Sequence, residues 1–321
     1  MTSEIVRIAS CNFEGNGKSV RELQAAMWGF LRNLELDAPA LQEEWRSYAG
    51  GYQEAHLAEE ALGMRRAFPP ASACALHVKP DMFHLEKQVT TAASKWGIQP
   101  TVYRARLRGT SAGSMPLLLG SIHLRYNPAL ARATEAEEVT GMIDEYVDID
   151  GVRRLVPSFI AGDMNSPAVP HPLGGPGKMD LDLIEDTAHR AHRSRLLDDG
   201  TRVPDTWPDR ILRDAGLCDV DAYAADRALM EPELWSPDPL RPTVWDDPSQ
   251  GPGQRVDRAH ISAELLPAVR NFRVEEPVVG GVRLSDHKVL LVDLHRPTLL
   301  EILGNPALHR RKPLTAVAAA G

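Results

Sequence analysis

Hydrophobic and polar positions change their period several times along this chain, and each change marks an element. β-Branched residues crowd 4–10, which predicts a first strand. Over 18–36 the apolar positions Val20, Leu23, Met27, Leu31 and Leu34 fall on one stripe, the pattern of an amphipathic helix. Pro39-Ala40-Leu41-Gln42 reads as a short buried strand ending at Glu43, and a helix is expected over 54–64. Segments 74–79 and 83–89 read as consecutive strands turned by Pro80-Asp81. Segment 101–108 alternates, and the turn-rich 109–114 joins it to 117–124, a long hairpin whose second strand delivers His123. A charged helix is predicted over 129–146 and an apolar strand over 155–161, running into Gly162-Asp163. Helix returns at 208–217, and strands at 255–262 and 288–294.

Residues 166–206 resist this reading. Pro167, Pro170 and Pro172 open the segment, a Gly-Gly-Pro-Gly run follows, and a basic helix-like stretch spans 189–195. Strands occur both as hairpin pairs and as pairs separated by helices, which predicts a mixed-sheet α/β architecture. No convincing linker interrupts 1–296, so one domain is expected there. Residues 297–321, with Arg310-Arg311-Lys312 and an alanine-rich end, are expected to form a partly disordered tail.

Composition narrows this picture only a little. The 321 residues are 43% hydrophobic and 25% charged, ordinary for a soluble globular protein. A net charge of −8 removes any global basic field for nucleic acid, although it leaves room for a local basic groove or a bound cation. Cys11, Cys74 and Cys218 match no zinc spacing, and reduced thiols are the plain reading. The start of the chain carries no leader pattern and no apolar run reaches membrane-spanning length, so a cytoplasmic protein without membrane contact is expected.

Candidate chemistry collects at the predicted strand ends: Asn12 with Glu14, Gln42 with Glu43, His123, Gly162-Asp163-Met164-Asn165, Arg255-Val256-Asp257, and Ser285-Asp286-His287. Each has a blander explanation: Ser285-Asp286-His287 as a capped turn, Gly-Asp-x-Asn as a β-turn, His123 as a core histidine, Glu43 as a surface acid beside Glu44. Residues 12–19 also imitate a phosphate-binding P-loop between a strand and a helix. That motif needs glycine where Asn12 stands, and Asn12 and Glu14 alternate onto one face of an extended strand end instead.

Taken in order, these clusters resemble the endonuclease/exonuclease/phosphatase superfamily, from Ile5 to about Leu294. The resemblance implies a four-layer α/β sandwich, two packed mixed sheets flanked by helices, with the catalytic groups at one edge. Leu41-Gln42-Glu43 matches the family's Leu-Gln-Glu and makes Glu43 the expected Mg²⁺ ligand, with Mn²⁺ as a substitute. Glu14 and Asp286 would complete the metal neighbourhood, since Mg²⁺ takes oxygen ligands and keeps several waters. Asp163 matches the residue that orients or deprotonates the attacking water, and Asn165 would donate to a phosphate oxygen. Asp257 would fix the tautomer of His287, which faces the scissile phosphate. His123 matches the histidine of the deoxyribonuclease-like branch, an acid for the leaving group, and Asn12 would support ligands or phosphate. Arg258-Ala259-His260 and Cys11 depart from the family pattern without touching these positions.

The function implied is a divalent-metal-dependent phosphoesterase, first a nuclease and alternatively a small-molecule phosphatase or phosphodiesterase. A nucleic acid or a small phosphate ester is the expected substrate partner. Arg190, Arg193 and Arg195 offer a phosphate-tracking patch. The flanking Glu185, Asp186, Asp198 and Asp199 favour a solvated helix face instead. A catalytically silent scaffold is disfavoured because every candidate position is kept.

Overall fold

The computed structural model describes residues 3–67, 72–174 and 179–311. Twelve strands build two six-stranded sheets. In chain order they are β1 (Ile5–Asn12), β2 (Ala38–Gln42), β3 (Arg65–Arg66), β4 (Ala75–Val78), β5 (Phe83–Val89), β6 (Thr101–Leu107), β7 (Leu117–His123), β8 (Ser158–Asp163), β9 (Leu217–Asp219), β10 (Asp257–Ser262), β11 (Val269–Glu275) and β12 (Val289–His295). The first sheet runs β11-β12-β1-β2-β4-β3 and the second β9-β10-β8-β7-β6-β5. Both are mixed: β1 pairs in parallel with β2 and antiparallel with β12, while β8 pairs in parallel with β7 and antiparallel with β10.

Side chains alternate across a strand, and that period of two assigns each face. Val6 and Ile8 of β1 meet Leu117 and Leu119 of β7, Phe159 and Ala161 of β8, and Ala259 and Ile261 of β10 in the core between the sheets. The opposite faces pack against helices. Ala9 and Cys11 lie under α1 (Arg21–Asn33) through Met27 and Leu31, and Leu62 of α2 (Ala49–Leu62) joins them. Leu118, Ile122 and Ile160 lie under α3 (Ala129–Ile143) through Ala136, Val139 and Met142. The result is the four-layer α/β sandwich. Among the described residues no helix is long and apolar enough to cross a membrane.

Three features differ from the sequence reading. The consecutive strands turned at Pro80-Asp81 are present but do not pair with each other: β4 pairs with β2 and β3, and β5 pairs with β6, so the turn carries the chain from one sheet to the other. The edge strand β11 and a helix at Val220–Met230 carried no periodicity strong enough to be seen. Of the segment read as a tail, 297–311 is described. Leu299, Ile302 and Leu303 of the helix Arg296–Gly304 are buried in the main core, so this part packs rather than trails. Residues 312–321 lie outside the described residues.

Candidate active site

The alternation that fills the core also places the site. Asn12, His123 and Asp163 are the last residues of β1, β7 and β8, Asp257 is the first of β10, and all four continue the inward face. Strand register sets three of them side by side, with Asp163 opposite His123 on one flank and opposite Asp257 on the other. The first sheet contributes Asn12, then Glu43 just past β2, and Ser285-Asp286-His287 just before β12. Gly162 lies so close to β7 that a Cβ there would stand 1.8 Å from the Ile122 carbonyl oxygen, so glycine is required immediately before Asp163. Glu14, Glu43 and Asn165 all adopt left-handed backbone (φ 40, 57 and 49), a cost tolerated where geometry is held by its surroundings. The P-loop imitation is instead a left-handed turn, with every φ from Glu14 to Ser19 positive.

Hydrogen bonds converge on Asp163. Asn12 Nδ2 donates to Asp163 Oδ2 at 3.0 Å and to Glu43 Oε1 at 3.2 Å. His123 Nε2 lies 3.5 Å and His287 Nε2 3.8 Å from the same Asp163 oxygen. The Asn165 amide N–H donates to Asp163 Oδ1 at 2.7 Å, and its side-chain Nδ2 donates to the Leu124 carbonyl at 2.9 Å. Glu43 also accepts from the Gly15 amide at 2.8 Å and stands 3.3 Å from His123 Nε2. His287 Nδ1 pairs with Asp257 Oδ2 at 2.8 Å. Glu14 accepts from the Asp286 amide at 3.1 Å and pairs with Lys18 at 2.7 Å.

Charge follows from these contacts. Burial disfavours the imidazolium of His287, but Asp257 and Asp163 outweigh it and raise its pKa to about 10. The two carboxylates thus favour the protonated ring of His287, while burial raises the Asp257 carboxyl above the ordinary aspartate value. Burial works against ionised Glu43, yet the hydrogen bond and charge of His123, with the Gly15 and Asn12 amides, hold the carboxyl down at about 2. Burial pulls His123 down, and Glu43 and Asp163 carry it above the ordinary histidine value. Burial lifts Asp286, and the neighbouring Glu14, Glu43 and Asp163 lift it further against the pull of His287.

Among the described residues one grouping has the spacing of a cation site: Asp163, Asp257 and His287 bring ligand atoms within 4.8 Å of one another. His287 gives Nδ1 to Asp257, which leaves Nε2 as its ligand atom. The acids Glu14, Glu43 and Asp286, expected as the metal neighbourhood, do not gather within that spacing, and Glu14 is paired with Lys18 at 2.7 Å. They do carry the oxygen donors that Mg²⁺ takes.

Glu44, the rival of Glu43, turns the other way. Its side chain is 2% exposed against 27% for Glu43, and it pairs with Arg66 at 2.9 Å and His77 at 3.3 Å. The three arginines read as a patch do not share one face. Arg190 donates to the Ile184 carbonyl, Arg195 pairs with Asp205 at 2.6 Å, and only Arg193 lines the cavity that opens beside His287. The sequence reading gave the buried props no role, although it placed Gln42 and Ser285 in the strand-end clusters. Gln42 donates to Ser121 Oγ at 3.0 Å beneath the site, tying the two sheets together. Thr243 Oγ1 accepts the Asp257 amide N–H at 3.0 Å, and Ser285 Oγ donates to the Asn12 carbonyl at 2.8 Å. A hydroxyl in a turn gives no local signal of such a role.

No family model and no curated protein matches this chain. Solved structures do. An endonuclease/exonuclease/phosphatase family protein from Bacteroides thetaiotaomicron superposes with a TM-score of 0.55 at 14% identity, covering 90% of this chain and 94% of its own. An AP endonuclease from Archaeoglobus fulgidus gives 0.55 at 12% identity, covering 90% and 99%. D. rerio TDP2 complexed with a single-strand DNA product gives 0.53 at 15% identity, covering 91% and 99%. Two facing mixed sheets, inward polar strand ends on one rim and these superpositions agree: the chain has the endonuclease/exonuclease/phosphatase fold.

Proposed function

We propose that this protein hydrolyses phosphate esters, phosphodiesters of nucleic acid first, with water activated at Asp163. The observation that carries this reading is the convergence of Asn12, His123 and His287 on one oxygen of Asp163, within 3.8 Å. A carboxylate so placed accepts a proton from water, while the His287 imidazolium, oriented by Asp257, faces the anionic phosphate oxygens. His123, whose protonated form Glu43 and Asp163 favour, is placed to give a proton to the leaving oxygen. Glu43, Glu14 and Asp286 would hold a divalent cation, Mg²⁺ with Mn²⁺ as substitute, whose charge offsets that developing on phosphate. Similarity to a structure in complex with DNA favours a polynucleotide substrate. The cavity of about 400 Å³ at His287, with Arg193 of the irregular 166–206 segment in its wall, favours a small ester as the second reading. Three free thiols fit a reducing, cytoplasmic setting.

The test is a substrate panel with and without Mg²⁺ or Mn²⁺: plasmid DNA, single-stranded RNA, abasic duplex, sugar phosphates and inositol phosphates. Metal-dependent hydrolysis lost in Asp163→Asn is the expected result. Failure to cleave any of them with either metal, or equal turnover in chelator, overturns the reading.

A further inference from the structure

Arg193 stands out among the cationic side chains. It is 5% exposed, and among the described residues no carboxylate lies within ion-pair distance of its guanidinium. Its one side-chain hydrogen bond is from Nη2 to the neutral amide oxygen of Gln250, at 3.1 Å. Nε and Nη1 are buried without an acceptor, and the guanidinium sits over the Tyr126 ring at 5.3 Å. A desolvated cation without a counter-charge is costly, and evolution usually pairs it or removes it. Burial correspondingly holds the Arg193 pKa below the ordinary guanidinium value, despite the attraction of Asp163.

Position supplies the missing partner. Arg193 and Gln250 line the same cavity as His287 and Asp286. Arg193 makes no hydrogen bond to Asn12, His123, Asn165 or His287, and Asp163 is the acidic group that attracts it most. Gln250 is half-exposed on the turn closed by Asp247 and Gly251, so its amide is an exchangeable acceptor. A phosphoryl oxygen in its place gives the Nη2 donor of the guanidinium an anionic acceptor instead of a neutral one.

We propose that Arg193 binds a second phosphoryl group of the substrate, next to the one hydrolysed. The substrates are then esters carrying two neighbouring phosphates, either consecutive links of a polynucleotide or a bisphosphorylated small molecule. This rests on the phosphoesterase reading above, and the experiment separates the two.

Thymidine 5′-(p-nitrophenyl phosphate) is compared with the same ester bearing a 3′-phosphate. The wild-type protein should prefer the second in kcat/KM by roughly tenfold to a hundredfold, the range of a charged hydrogen-bond pair. Arg193→Gln should bring that ratio to about one, and Arg193→Lys should fall between, keeping charge without the fork. Calorimetry in chelator gives a turnover-free arm: thymidine 3′,5′-bisphosphate should bind the wild-type protein more tightly than thymidine 5′-monophosphate, and Arg193→Gln should abolish the difference. If this binding difference holds while neither ester is cleaved, the Arg193 inference stands and the catalytic reading falls. A single-stranded trinucleotide affected as strongly as the bisphosphate supports the polymer source, and an effect confined to the bisphosphate supports the small ester. The ligand-free Tm of Arg193→Gln should equal or exceed the wild type, because a desolvated charge is gone. A ratio unchanged by Arg193→Gln overturns the proposal, and a lowered Tm alongside it would mark Arg193 as merely structural.

Discussion

Strand β10 shows two kinds of buried charge back to back. Its inward face ends in Asp257, which joins His287 and Asp163 at the rim beside an open cavity. Its outward face carries Arg258 and His260 into a second ionic cluster that is closed by packing, with Arg213 at its margin. There His260 Nε2 meets Asp209 at 2.9 Å, Arg213 reaches Asp209 at 3.2 Å and Asp219 at 3.0 Å, and Arg255 pairs with Asp219 at 2.9 Å. Arg258 donates to the Ser166 carbonyl at 2.6 Å, and Asp209 accepts the Val169 amide N–H at 2.7 Å. The closed cluster therefore anchors the chain that leaves the Asp163–Asn165 turn. Both sets are acidic and basic side chains removed from water; what separates them is access. Charge burial alone identifies neither a site nor a scaffold.

The comparison breaks most sharply if chemistry is removed from the open set. Asp163→Asn should cut kcat by about 10²–10⁴-fold while the unfolding transition is kept, because the proposed general base is lost and the hydrogen-bonding shape remains. Comparable turnover would move the site away from β8.

The reverse signature is expected of the closed set. Asp209→Ala should lower unfolding stability by about 3–5 kcal/mol, since it strands His260 and Arg258 in the interior. The fraction that stays folded should turn over at close to the normal rate, and chemical denaturation run beside a single-turnover assay checks both halves. Its pH dependence has a definite sign. Burial opposes ionised Asp209, but His260, Arg258 and Arg213 depress its pKa well below the ordinary aspartate value. A depressed carboxyl stabilises the fold above its unfolded pKa, about 3.9, and that stability is lost as pH falls below it toward the folded value. Wild-type stability should thus fall steeply below about pH 4, and Asp209→Asn should flatten the slope.

A smaller effect tests whether the open set contains a functional pair. Asp257→Asn and His287→Gln should each slow hydrolysis by about a hundredfold, and the double variant by little more, because one ion pair is lost in every case. Additive losses in the cycle would dissolve the pair.

The smallest expected effect is Arg190→Ala. Its guanidinium is spent on the Ile184 carbonyl, so the salt dependence of nucleic-acid binding should keep its slope. A shallower slope would return Arg190 to the substrate path.

Alternation along a strand is a local property, and the sequence was enough to place Asn12, His123, Asp163 and Asp257 at strand ends and to indicate a mixed-sheet α/β class, while two packed sheets with helices outside came from the family resemblance. Helical stripes were legible for the same reason, as in Met27 and Leu31 of α1. The properties that needed the folded chain are those set by partners distant in sequence. Glu43 and Glu44 are adjacent and chemically alike; one turns to His123, the other to Arg66 and His77, and only packing separates them. Arg190, Arg193 and Arg195 look like one patch until Ile184, Gln250 and Asp205 claim them separately. The strands either side of Pro80-Asp81 are legible as consecutive, yet each finds its partners in a different sheet. Periodicity records which way a side chain faces, and only the tertiary structure determines what it meets there.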